Sequence, residues 1–146
     1  MSSPRNDAGI PFMRYALEIQ EPNGAAGLTM TDLDGMAGSD FEIACAYLLL
    51  CAGFRDVDVT PATGDYGVDI TAFKDGCTYA VQCKRSESVI GNAAVQQVHA
   101  GKAMYHADRA IVMTNSDFTR NAAKLARETG VGLWNRDVLS WLLSQA

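Results

Sequence analysis

The 146-residue sequence has no apolar run long enough to cross a bilayer, although 48% of its residues are hydrophobic. It lacks the charged-then-apolar opening of a secretory signal, so a cytoplasmic location is expected. Its four cysteines, Cys45, Cys51, Cys77 and Cys83, show no CxxC spacing. Reduced, mostly buried thiols are therefore expected in place of a zinc site or disulfides. Histidine occurs only as His99 and His106, seven apart on one predicted helix, which does not make a two-histidine metal clamp; both are expected at the surface or its boundary. There is no GxxxxGK[ST], GxGxxG, GxSxG or HExxH motif. Nothing in the chain therefore supports a nucleotide-driven motor, a dinucleotide enzyme or a serine hydrolase.

What remains has the length and hydrophobic content of one domain with an adequate core. Met1–Gly38 holds Pro4, Pro11 and Pro22 with little periodicity and is expected to be irregular or flexible, a short strand at Phe12–Ile19 being the one regular element it suggests. Residues 39–146 read as one domain. A helix capped by Ser39 or Asp40 should run to about Ala52, with Phe41, Ala44, Cys45, Leu48 and Leu49 on one stripe and Gly53 as its stop. Val57–Thr60 reads as a strand, Gly91–Tyr105 as a crossover helix and Arg109–Thr114 as a buried parallel strand. A helix over Phe118–Thr129, a strand at Val131–Trp134 and a helix over Asp137–Leu143, with Trp141 and Leu142 inward, complete the order. The fold class is thus α/β: a mixed central sheet with an antiparallel hairpin, flanked by helices.

The most informative stretch is Gly64–Lys84. Val68–Phe73 and Thr78–Lys84 are rich in β-branched and aromatic residues and flank Asp75-Gly76, which suits a type I′ hairpin turn. Centring the turn there places Lys74 opposite Cys77, Phe73 opposite Thr78 and Asp69 opposite Gln82. Alternation then sets Asp69, Gln82 and Lys84 on one face and Val68, Ile70, Val81 and Cys83 on the other. A carboxylate, an amide oxygen and an ammonium converging on one face make a poor core, because buried polar groups are costly unless paired. They suit a Mg²⁺ ion beside a scissile phosphate: Asp69 and the Gln82 carbonyl are hard oxygen ligands, and Lys84 can contact the phosphate and position a water. Glu42, expected in the first turn of its helix, is either a carboxylate favoured by the helix dipole or an acid that offsets the charge missing at Gln82. Gln96 and Gln97 are the polar residues of the crossover helix nearest the site. Asp65 is either a turn residue or an acid behind the site.

Asp65-Tyr66-Gly67-Val68-Asp69, followed by Val81-Gln82-Cys83-Lys84-Arg85, resembles the Mrr-type restriction endonuclease domain. This is a branch of the PD-(D/E)xK nuclease superfamily in which glutamine often replaces the middle acid. The resemblance begins at Gly38-Ser39-Asp40-Phe41-Glu42, takes in Gly53-Phe54 and Val59-Thr60-Pro61, and runs through Ala110–Thr114 to Val131–Trp134. It implies a restriction-endonuclease-like core and a DNA endonuclease acting in restriction or defence against foreign or modified DNA. Asp69, Gln82 and Lys84 would be catalytic, and Glu42 matches the helical acid that often completes such sites. The same resemblance implies Mg²⁺ or Mn²⁺ held by Asp69, Gln82, Glu42 and the backbone carbonyl of Cys83, with Lys84 and Arg85 touching DNA. Cutting both strands takes two sites, which a homodimer would supply, and a separate partner would choose the target because the N-terminal segment is too short for a recognition domain.

One property runs against this reading. The formal net charge is −5, whereas phosphate binding usually shows as a basic excess. Residues 1–40 carry −4 of it and residues 41–146 only −1. Weak unaided DNA affinity is expected, and a second reading stays open: a nuclease-fold module that binds DNA or a protein partner without cutting.

Overall fold

Short runs of β-branched and aromatic residues pair into a single five-stranded sheet in the computed structural model, which describes residues 27–61 and 66–145. In chain order the elements are α1 (Met30–Asp34), α2 (Gly38–Cys51), β1 (Arg55–Val59), β2 (Ile70–Lys74) and β3 (Cys77–Lys84). They continue with α3 (Asn92–Met104), β4 (Arg109–Thr114), α4 (Arg120–Thr129), β5 (Gly132–Trp134) and α5 (Arg136–Gln145). The strands lie side by side in sequence order, antiparallel from β1 to β3 and parallel from β3 to β5. Each parallel step needs a crossover, and α3 and α4 supply the two. The mixed, helix-flanked sheet expected from the element order is the one observed. Residues 1–26, with the strand expected at Phe12–Ile19, lie outside the described residues, as does Asp65.

Alternation along β4 shows how the layers form. Ile111 and Met113 join the core under α2 and α5, while Ala110 and Val112 join the one under α3 and α4. Every residue from Ala110 to Thr114 is buried, as a strand covered on both faces must be. The α2 stripe of Phe41, Ala44, Cys45, Leu48 and Leu49 is buried as expected; Ala46 and Tyr47 are buried too, with α5 packed against the helix. The hairpin turn has positive φ at both Asp75 (51°) and Gly76 (82°), as type I′ requires. Its register pairs Lys74 with Cys77 and Phe73 with Thr78 and continues to Ile70 with Val81, so the turn position alone determined the strand alignment.

Several boundaries differ from the sequence expectations. Helix α2 begins at Gly38 after Ala37, with no side-chain cap, instead of at Ser39 or Asp40. Asp40 then takes the first-turn position, and Glu42 moves into the second turn, where the helix dipole has little hold on it. Within residues 27–38, α1 is regular: Thr29 and Asp32 form a reciprocal capping box and Leu33 is buried. Helix α4 starts at Arg120 with Thr119 as its cap, because Phe118 bridges to Ile90 instead of entering the helix. Trp141, expected inward, is 62% exposed, since Leu139 and Leu142 occupy the inward stripe of α5.

Candidate active site

The site is assembled where β2 begins, β3 ends and α2 starts. Asp69 enters β2 with its backbone tied on both sides: its N–H donates to the Val81 carbonyl at 2.7 Å, and its carbonyl accepts from the Thr60 N–H at 2.9 Å. Its carboxylate Oδ2 accepts the backbone N–H of Cys83 at 2.8 Å. That bond draws the carboxylate over the stretch of β3 between Gln82 and Lys84, so the proximity of Asp69 to the QxK segment is a direct contact.

Gln82 is 2% exposed and faces α3. Its Nε2 donates to the Gly67 carbonyl and to Gln97 Oε1, both at 3.0 Å. Its Oε1 is buried and has no hydrogen-bond partner among the described residues. An unsatisfied buried amide oxygen costs about 1–3 kcal/mol of lost hydration, so a fold that keeps one usually has a use for it. Hard cations are ligated by oxygens of this kind. Among the described residues no three histidine, cysteine, aspartate or glutamate side chains converge, so a cation here would depend on neutral oxygens beside the Asp69 carboxylate. The donor set of Asp69, the Gln82 amide and the Cys83 carbonyl fits Mg²⁺ or Mn²⁺ better than zinc.

The Cys83 side chain points to the opposite face, packed against the core under α2. Burial pushes its thiol well above its ordinary range; the neighbouring Cys45 adds to this, followed by the Asp69 and Glu42 carboxylates. Glu42 lies in the second turn of α2. Gln82 thus looks toward α3, and Asp69 reaches across the end of the strand to the Cys83 N–H. The apolar face expected from alternation is corrected in one respect. Val68, which follows Gly67 at φ +76°, does not share the Ile70 face but packs toward Gly101 of α3.

Lys84 closes β3. Its carbonyl accepts from Thr114 Oγ1 at 2.6 Å, which holds the strand end against β4, and its half-buried side chain has no hydrogen bond or ion pair among the described residues. Arg85, expected beside it as a DNA contact, donates from Nη1 to the Asp34 carbonyl at 3.0 Å. It belongs to a polar network that sequence reading did not find. Arg136 grips Asp34 with two bonds of 2.8 and 3.0 Å, Asn115 Nδ2 bonds Asp34 Oδ1 at 2.9 Å, and Asn115 Oδ1 accepts the Ser86 N–H at 2.7 Å. The pair is 102 residues apart in sequence, and no local signal announces it. This network lines a recess of about 510 Å³ at the C-terminal ends of the central strands. A larger apolar recess of about 800 Å³, walled by Phe54, Tyr79, Trp134 and Trp141, lies at the other end of the sheet, away from Asp69 and Gln82. Gln97, which sequence reading did put near the site, touches it; Gln96 is exposed.

No curated protein matches the chain. Among solved structures, the protein of unknown function AF1548 superposes with a TM-score of 0.56 at 21% identity, over 66% of this chain and 61% of that one. AspBHI, a DNA modification-dependent restriction endonuclease, does so with 0.60 at 16% identity, over 98% of this chain and 36% of that one. A repair endonuclease from Pyrococcus abyssi gives 0.52 at 21% identity, over 68% of this chain and 47% of that one. The chain thus spans 61% of AF1548 and about a third to a half of the other two, and at these identities the likeness concerns the fold. A family model is matched over residues 33–143, which takes in Glu42, Asp69, Gln82 and Lys84 together. By that match the chain belongs to the restriction endonuclease family defined by the Mrr catalytic domain.

Proposed function

We propose that the chain is a Mg²⁺- or Mn²⁺-dependent DNA endonuclease acting in restriction or defence. The observation that carries the reading is the buried Gln82 Oε1, without a hydrogen-bond partner among the described residues, on the strand whose next residue anchors the Asp69 carboxylate. Asp69, Gln82 and the Cys83 carbonyl would hold the cation, with Glu42 binding or steadying it from α2. A divalent cation at this place supplies charge stabilisation for the phosphate and lowers the pKa of water. The remaining chemistry belongs to the chain. The ammonium of Lys84, uncommitted among the described residues, orients the attacking water and offsets negative charge as it builds on the phosphate oxygens. The hydrogen bond from Cys83 to Asp69 holds that carboxylate in one rotamer before substrate arrives, which spares reorganisation during the reaction. Arg85, tied to α1, contributes positive field near the site more than a direct grip on DNA.

A double-strand cut requires two copies of the site, so the active form is a homodimer or two chains recruited by a separate specificity partner. The second reading, a module that binds DNA or a partner without cutting, is favoured by the neutral residue at Gln82 and the net charge of −5. Supercoiled plasmid, methylated and unmethylated, incubated with Mg²⁺, Mn²⁺ or EDTA separates the two. Metal-dependent nicking by the natural chain that is lost in Asp69→Ala and in Lys84→Ala is the expected outcome. Folded natural chain that cuts under none of these conditions would transfer the weight to the non-cleaving module.

A further inference from the structure

We propose that Gln97 is a positioning residue that, with the Gly67 carbonyl, fixes which end of the Gln82 amide faces the cation; this rests on the metal reading above. The oxygen and nitrogen of an amide are nearly isosteric, so a buried glutamine presents either end unless its hydrogen bonds choose. Here both Nε2 protons are committed to oxygens contributed by two different segments, the turn before β2 and helix α3. The Gly67 carbonyl cannot turn over and so sets the sense; Gln97, whose own amide follows that choice, takes the second proton and holds the Gln82 amide in place. Oε1 is thereby left pointing away from both acceptors, buried and without a partner among the described residues.

The close approach this requires is built into two glycines. A Cβ at Gly67 would lie 2.9 Å from Gln97 Cβ and 3.2 Å from Gln82 Nε2. A Cβ at Gly101 would run into the Tyr66 carbonyl and come within 2.6 Å of a Val68 methyl. Helix α3 is therefore pressed onto the chain entering β2 at the point where Gln97 meets Gln82. The arrangement also accounts for an amide at this position. A carboxylate at residue 82 would set an oxygen against the Gly67 carbonyl, with no proton to satisfy it.

The test combines the side-chain amide of Gln82, observed by proton–nitrogen NMR in metal-free protein, with calorimetric Mn²⁺ binding. In the natural chain both Gln82 amide protons should exchange slowly. Gln97→Met, which keeps length and helix propensity but removes the acceptor, should expose one of them and weaken Mn²⁺ binding roughly threefold to tenfold, the net worth of one hydrogen bond. Gln97→Glu restores an acceptor and should return both the proton protection and the affinity, a rescue that a merely structural role would not show. Unchanged protection and affinity in Gln97→Met, with binding still abolished by Asp69→Ala, overturns the role of Gln97 alone. A natural chain with no Asp69-dependent Mn²⁺ binding overturns the metal site, and this proposal with it.

Discussion

Replacing Gln82 by Glu tests the arrangement at its centre. The substitution removes both donors of Nε2, whose partners are the Gly67 carbonyl and Gln97 Oε1. Each such bond is worth about 0.5–1.5 kcal/mol net, and leaving a buried acceptor facing another oxygen adds about 1–3 kcal/mol. Gln97 can rotate its amide to donate to the new carboxylate and recover one bond, whereas the Gly67 carbonyl cannot. A metal-free loss of about 1.5–4.5 kcal/mol is therefore expected, a substantial part of the roughly 5–15 kcal/mol that holds a domain together. Mg²⁺ should reverse much of it, because the carboxylate gains the counter-charge that the amide did not need. Tightening the site a hundredfold would return about 2.7 kcal/mol at saturating metal. Urea unfolding of both proteins, in EDTA and in Mg²⁺, measures each term. Equal stability in EDTA would refute the hydrogen-bonding assigned to Nε2. A variant that is destabilised yet gains no more from Mg²⁺ than the natural chain would remove Gln82 from the ligand set.

Three further outcomes follow from the same geometry. Gly76→Ala and Gly67→Ala both place a side chain at positive φ, 82° and 76°, but only residue 67 has neighbours within reach. Gly76→Ala should cost about 1–2 kcal/mol and Gly67→Ala a further 1–3 kcal/mol from overpacking, so equal urea midpoints would contradict the packing of α3 against this turn. Asp34 is held below the ordinary carboxylate value of 3.8 by its hydrogen bonds to Arg136 and then Asn115. A depressed acid contributes stability above its unfolded pKa and loses it as pH falls through its folded value. The stability difference between the natural chain and Arg136→Ala should therefore be constant at neutral pH and shrink below about pH 4; a difference that persists in acid would assign it to packing. Gel retardation without metal should show weak, salt-sensitive DNA binding, and nanomolar affinity in EDTA would conflict with the charge distribution.

The parts legible in the sequence are those set by local rules. A two-residue turn with positive φ at both positions has a defined register, and from Asp75-Gly76 that register carries outward to Ile70 opposite Val81, which brings Asp69 to the end of β3. A run such as Arg109–Thr114 identifies a strand buried on both faces because no polar alternation interrupts it. A helix face is less secure. Moving the start of α2 back to Gly38 took Glu42 out of the first turn, and the inward stripe of α5 through Leu139 and Leu142 left Trp141 at the surface. Only the tertiary structure decided the rest. Arg85 turned to the Asp34 carbonyl, Arg136 met Asp34 across 102 residues, and Gln97 joined Gly67 in orienting one amide. Local dihedral preference and periodicity act over a few residues, and the sequence determined what they reach. Which oxygen of the site is left without a partner depends on how closely α3 packs against the turn before β2, a distance that no stretch of sequence specifies by itself.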